Sequence, residues 1–140
     1  FIFHNRSLGT VRDATSYVPG SGFAVHRAVF ARAGGMDTAL GTYWDDVDWS
    51  VRVQRAGFEL RSDPNFVLRH YIGKTCHQNP LYSIYYFQRN RKRVSWKYTT
   101  HASRPWLAMR LTRSWARLGF NLLRKGRWRE LKYLHRAVVD

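Results

Sequence analysis

A chain of 140 residues with 44% hydrophobic and 16% aromatic side chains has the size of one ordinary domain. It holds enough apolar surface to offset the entropy of ordering, which excludes a disordered chain. The formal charge of +15 is uneven: residues 1–70 carry eight Lys or Arg against seven Asp or Glu, whereas residues 71–140 carry sixteen against Glu130 and Asp140 alone, so a near-neutral globular region adjoins a strongly basic one.

The lone Cys76 excludes an internal disulfide and any Cys-only metal cluster, and it fits a reducing compartment. No signal peptide is visible at the start, and no run of about 18 apolar residues is present that would span a bilayer. Opening on Phe1-Ile2-Phe3 without an initiator Met, the chain reads as a fragment.

Taken in order, residues 17–26 combine a Pro19-Gly20-Ser21-Gly22 turn with the apolar run Phe23-Ala24-Val25, which predicts a loop feeding a buried strand. Arg27 to Ala33 predicts a helix closed by Gly34-Gly35. A second helix is expected from Val47 to Ala56, with Asp45 or Asp46 at its N-cap, Gly57 past its end, and Val47, Val51 and Ala56 facing inward. Phe58 to Arg61 and Phe66 to His70 predict two short strands around the turn Ser62-Asp63-Pro64-Asn65. Together these elements predict a mixed α/β core.

After Pro80 the aromatic residues Tyr82, Tyr85, Tyr86 and Phe87 lead into the basic run Arg89 to Arg93. Beyond Pro105, Leu107, Leu111, Trp115, Leu118 and Leu122 recur at helical spacing, with Arg110, Arg113, Arg117 and Arg124 on another face. Gly126 interrupts this basic amphipathic helix, and Trp128, Leu131, Leu134 and Val138 continue an apolar stripe on the next. Such a tail suits an anionic membrane surface, with Trp106, Trp115 and Trp128 in the interfacial zone. The same stripe equally suits packing on the core or on a partner.

Three carboxylates, Asp45, Asp46 and Asp48, crowd the start of the second helix, where they repel unless a cation, an Arg or the helix dipole offsets them. N-capping and solvation account for such a cluster; so does a general base that takes a proton from an attacking hydroxyl, for which Asp46 is the candidate. Tyr43 and Trp44 offer flat faces for sugar rings or, equally, for the core, while Arg52 stands one turn beyond Asp48 and can pair with it. His70 ends a predicted strand, and the loop after it, Gly73-Lys74-Thr75, joins a flexible residue, a cation and a hydroxyl as a phosphate site would.

The elements Pro19-Gly20-Ser21-Gly22-Phe23, Arg27 with Phe30, Gly34-Gly35-Met36-Asp37, Trp44-Asp45-Asp46-Val47-Asp48 with Arg52, Ala56-Gly57-Phe58 and His70 resemble family 2 glycosyltransferases over about residues 15–98, with Arg89-Asn90 and Tyr98 echoing the closing segment. The resemblance implies an α/β fold: residues 1–98 as the C-terminal, acceptor-side part of a GT-A (Rossmann-like) glycosyltransferase domain, and residues 99–140 as a tail of basic amphipathic helices. It implies Asp46 as the general base of an inverting transfer, and Asp45, Trp44 and the Gly20-Ser21-Gly22 loop as acceptor-binding. It further implies Lys74 and Thr75 at the donor phosphate. The Trp-Asp-Asp variant followed about two dozen residues later by a His is similar to bacterial galactofuranosyltransferases, and the same framework serves rhamnosyltransferases. That likeness implies His70 as a ligand of Mn²⁺ or Mg²⁺. The implied partners are a nucleotide-sugar donor, a glycan or lipid-linked acceptor and a membrane surface, but not nucleic acid, in cell-surface polysaccharide synthesis at the cytoplasmic face of the bacterial inner membrane.

Asp46-Val47-Asp48 mimics the family's metal-binding Asp-x-Asp, but it lies between the wrong elements, and only 44 residues precede Asp45 where a nucleotide-binding sheet would need several strands. The fragment alone is therefore expected to be inactive. Two other readings stand beside this one: a nucleic-acid-binding module using Arg89 to Arg93 with Trp96 and Tyr98, and a non-catalytic glycosyltransferase remnant.

Overall fold

The computed structural model describes residues 15–63, 67–69 and 79–140. They form five α-helices: α1 (Arg27–Ala33), α2 (Asp45–Arg55), α3 (Pro80–Tyr98), α4 (Arg104–Arg124) and α5 (Trp128–Val139), with one 3₁₀ turn at His101–Ser103. No strand occurs among the described residues, so the expected α/β, Rossmann-like architecture is not what this chain adopts. The apolar runs at Phe23–Val25 and Phe58–Leu60 are extended and form no strand; among the described residues the Thr15 amide donates to the Leu60 carbonyl at 2.9 Å. A short apolar run needs only a surface to cover it, and here that surface is a helix rather than a neighbouring strand.

The chain divides into two compact units, residues 1–36 with 46–70, and residues 37–45 with 71–140; one boundary falls in the first turn of α2, between Asp45 and Asp46. In the first unit, Val18, Phe23, Val25 and Phe58 pack around a core of Val29, Trp49, Val53 and Leu60. Trp49 is its centre: it is 1% exposed, its ring lies 5.0 Å from Phe23 and 5.9 Å from Phe30, and its Nε1 donates to the Gly34 carbonyl at 2.9 Å. The inward face of α2 is thus Trp49 and Val53, whereas Val47, Val51 and Ala56 are only half-buried. The valine spacing misidentified that face because Asp48 and Ser50, which flank Trp49, are buried polar residues, Asp48 paired with Arg52 one turn on and Ser50 with the distant Val18 amide.

The helix ends follow local chemistry. Gly34 (φ 72°) and Gly57 (φ 86°) close α1 and α2 in the left-handed region that costs other residues about 1–2 kcal/mol. In the second unit, the Asn79 side chain caps α3 by accepting from the Tyr82 amide at 3.1 Å, and Pro80 and Pro105 stand in the first turns of α3 and α4, where a missing N–H is harmless. Leu111 and Leu122 of α4, Leu134 and Ala137 of α5, and Val94 of α3 are buried. The leucine stripe expected on α4 therefore packs within the helical unit. Residues of the basic run turn inward as well: Arg91 donates to Ser114 Oγ at 2.8 Å and Lys92 to the Val138 carbonyl at 2.7 Å.

Candidate functional site

Asp46 and Ser50, one turn apart on α2, together grip the loop that precedes α1. Asp46 Oδ2 accepts from the Tyr17 hydroxyl at 2.8 Å and from the Gly20 amide at 2.9 Å. Ser50 Oγ accepts from the Val18 amide at 3.2 Å and donates to the Asp46 carbonyl at 2.7 Å. Two predicted site elements 26 residues apart, the Gly20-Ser21-Gly22 loop and Asp46, are thereby joined inside one unit. The loop is closed by a bond from the Gly22 amide to the Pro19 carbonyl, 3.3 Å, and Gly22 lies where a Cβ would stand 2.7 Å from Leu68 Cδ1. Ser21 is exposed.

The other Asp46 oxygen, Oδ1, accepts from the Val47 amide at 2.8 Å. A carboxylate oxygen carries two lone pairs, so Oδ1 keeps capacity for a further proton donor while Oδ2 is already shared between two. Asp46 is half-buried, within reach of solvent.

Asp48 has a different fate. It is fully buried, and its Oδ2 accepts from Arg52 Nε at 2.8 Å, as the one-turn spacing predicts. The same guanidinium donates to the Ala33 carbonyl at 2.5 Å and the Gly35 carbonyl at 2.7 Å. Asp48 and Arg52 thus fasten the end of α1 to α2, and no free face of Asp48 remains for chemistry.

Trp44 and Asp45 belong to the second unit. There Tyr43 (φ 62°) and Trp44 (φ 68°) both adopt the left-handed conformation, a strain of about 1–3 kcal/mol each that persists only where surroundings enforce it. The enforcement comes from α3. Asn90, fully buried, donates through Nδ2 to the carbonyls of Leu40, Thr42 and Tyr43 at 2.8, 2.7 and 2.9 Å, while Arg89 donates to the carbonyls of Ala39 and Leu40, both at 3.0 Å. The Tyr43 and Trp44 rings meet Phe87 edge-on at 5.8 and 6.0 Å, and the Tyr43 hydroxyl donates to Ser83 Oγ at 3.1 Å. Both aromatics are half-buried, one side packed and the other open.

His70, Lys74 and Thr75 lie outside the described residues. Among the described residues no three His, Cys, Asp or Glu side chains gather as a metal site. Sequence reasoning did not single out Tyr17, whose hydroxyl anchors Asp46, nor the clamp role of Asn90. Nothing local marks Tyr17, whereas a polar Asn beside an Arg inside an aromatic helix is a signal for the second. No family model, no curated protein and no solved structure matches this chain.

Proposed function

We propose that this chain supplies acceptor-side residues of a family 2 type glycosyltransferase, with Asp46 as the general base of an inverting sugar transfer. The observation that carries the proposal is the hydrogen bond from the Gly20 amide to Asp46 Oδ2, 2.9 Å, which ties the loop proposed to bind the acceptor to the proposed base. In the proposed reaction the acceptor hydroxyl gives its proton to Asp46 Oδ1, its oxygen attacks the anomeric carbon of a nucleotide-sugar donor, and the bond to the diphosphate breaks with inversion. A divalent cation, with His70 among its ligands, and the Lys74-Thr75 pair would offset the charge of the leaving diphosphate. Trp44 and Asp45 would orient the acceptor ring. The test is an assay of the natural protein carrying this chain against a panel of sugar nucleotides with Mn²⁺: Asp46→Asn should abolish transfer while the helical circular dichroism is retained, and wild-type turnover in that variant rejects the assignment.

A second reading has one observation in its favour. Both Asp46 oxygens already accept hydrogen bonds, from Tyr17, Gly20 and Val47, as a purely structural tie between loop and helix would. This is the non-catalytic remnant, and it predicts no transfer with any donor.

We further propose a peripheral seat on the cytoplasmic face of the membrane. Among the described residues no helix is long and apolar enough to cross a bilayer. On α4, Trp106, Met109, Phe120 and Leu123 are 55%, 60%, 60% and 44% exposed, and helical spacing sets them around Arg113, Arg117 and Arg124, opposite the buried Leu111 and Leu122. Arginines and aromatics on one exposed face suit anionic lipid, each cation adding about 1 kcal/mol near the surface. Salt-sensitive cosedimentation with anionic vesicles is expected, and its absence rejects the seat.

A further inference from the structure

The second unit holds a groove of about 600 Å³ between α3 and α4, within the range of small-molecule sites. Leu111, 3% exposed, forms its base, Ala108 and the half-buried Trp115 continue the α4 side, and Trp96, 41% exposed, stands across from them on α3. Lys92, Arg93 and Lys97 complete the α3 side, and among the described residues no carboxylate lines the groove. An apolar trough with cations along one edge has the two chemistries of an amphiphile whose head is an anion.

The surrounding charge argues for an anionic head over a neutral one. Residues 79–140 contain fifteen Lys or Arg against Glu130 and Asp140, and both acids are engaged, Glu130 with Arg127 at 2.9 Å and Asp140 with the Tyr85 hydroxyl at 2.5 Å. The cations crowd one another. Burial, and then Lys92's neighbour Arg93, hold the Lys92 ammonium below its ordinary value; burial, and then Arg110, do the same to Arg91. Arg93 donates to the Asp140 main-chain oxygen at 3.2 Å, a long bond that a phosphate oxygen would replace with a stronger, charge-assisted one.

We propose that this groove is a binding site for a membrane-derived long-chain lipid phosphate, its hydrocarbon chain lying between Trp96 and Trp115 over Leu111 and its phosphate held at the Arg93 and Lys97 edge. Binding is independent of turnover, so failure of this site leaves the transfer proposal standing, and the reverse also holds.

The experiment titrates the full chain by calorimetry with a dodecyl phosphate below its micelle concentration, with dodecyl maltoside and inorganic phosphate as the neutral-headed and chainless probes. Saturable binding of dodecyl phosphate is expected, at least tenfold tighter than either control. Arg93→Glu with Lys97→Glu should weaken dodecyl phosphate by tenfold or more and leave dodecyl maltoside unchanged. Ala108→Trp should fill the groove and abolish binding, with Ala108→Leu as the milder variant should the first not fold. Equal affinity for the neutral amphiphile, full binding in a folded Ala108 variant, saturable binding of an acidic amphipathic peptide in place of dodecyl phosphate, or self-association that occludes the groove would each overturn the proposal.

Discussion

Replacing Asn90 by Ala removes a side chain that donates to three carbonyls of the loop before α2, those of Leu40, Thr42 and Tyr43, and the cost can be worked bond by bond. The orientation of the amide is unambiguous, because Oδ1 accepts from Arg89 Nε at 2.9 Å while Nδ2 faces three carbonyls. Of those carbonyls, Leu40 keeps two other donors, Arg89 Nη2 and the Thr42 amide, each at 3.0 Å. Thr42 and Tyr43 each lose one donor at half-buried positions, at about 1–3 kcal/mol each, partly recovered as Tyr43 and Trp44 relax from the left-handed region. A net loss of about 2–4 kcal/mol is expected for Asn90→Ala. Asn90→Asp should lose at least as much, since it sets an acceptor against acceptors. Urea unfolding followed by helical circular dichroism measures both. A change within about 0.5 kcal/mol, the range of an ordinary surface substitution, would refute the clamp.

Asp48→Ala should cost about 3–5 kcal/mol by stranding the Arg52 guanidinium, whereas Asp46→Asn, which keeps one acceptor oxygen for Tyr17 or Gly20, should cost about 1 kcal/mol; thermal unfolding of the two variants compares them. Gly119→Ala should stabilise by about 0.5–1 kcal/mol, because it improves the interior of α4 and its Cβ would meet Leu131 and Leu134 at ordinary contact distances of 3.7 and 3.8 Å; a lower melting temperature would contradict this. The Asp140 carboxyl is held below its ordinary value of 3.8, first by the Tyr85 hydroxyl, with burial opposing it and Arg136 and Arg93 adding to the lowering. Its depressed value means that the stability it contributes is present above pH 3.8 and is lost as pH falls through the lower, folded value. In Tyr85→Phe a carbon-detected NMR titration should find Asp140 moved up toward 3.8.

Punctuation was the legible part of the fold. Gly34, Gly57 and Gly126 (φ 72°, 86° and 63°) stop helices because glycine reaches the left-handed region without strain, and Pro105 starts one because nothing is lost there, whereas the helix that Pro80 starts was not expected from the aromatic and basic run that follows it. The strands were misread for a reason equally local: Phe23-Ala24-Val25 and Phe58-Glu59-Leu60 have strand composition, but composition does not reveal whether the surface covering them is a sheet or Trp49 and Val53 of a helix. On α4 the Leu111 and Leu122 face was visible from spacing; of the tryptophans expected in the interfacial zone, Trp106 and Trp128 are exposed and Trp115 is half-buried, while the exposed Met109 and Phe120 of α4 were not singled out. In the candidate site, Asp48 with Arg52 was legible because both lie on one helix. Tyr17 was not, because its partner Asp46 lies 29 residues away and only folding brings the two together.

The crowding of Asp46 and Asp48 finds a physical resolution that separates their roles. Two carboxylates two residues apart on a helix point to different faces, and each repulsive charge needs its own compensation. Asp48 takes a full countercharge and complete burial, which fixes it structurally. Among the described residues the donors to Asp46 are neutral, a phenol and backbone amides, with the helix N-terminus behind it. Neutral donors orient a carboxylate without supplying a countercharge, which leaves Asp46 half-buried and tied to the loop. Those are the properties that a proton acceptor requires and a salt bridge would remove. An engineered Arg partner for Asp46 in place of Tyr17 would therefore preserve the tie between loop and helix but should suppress the proposed transfer.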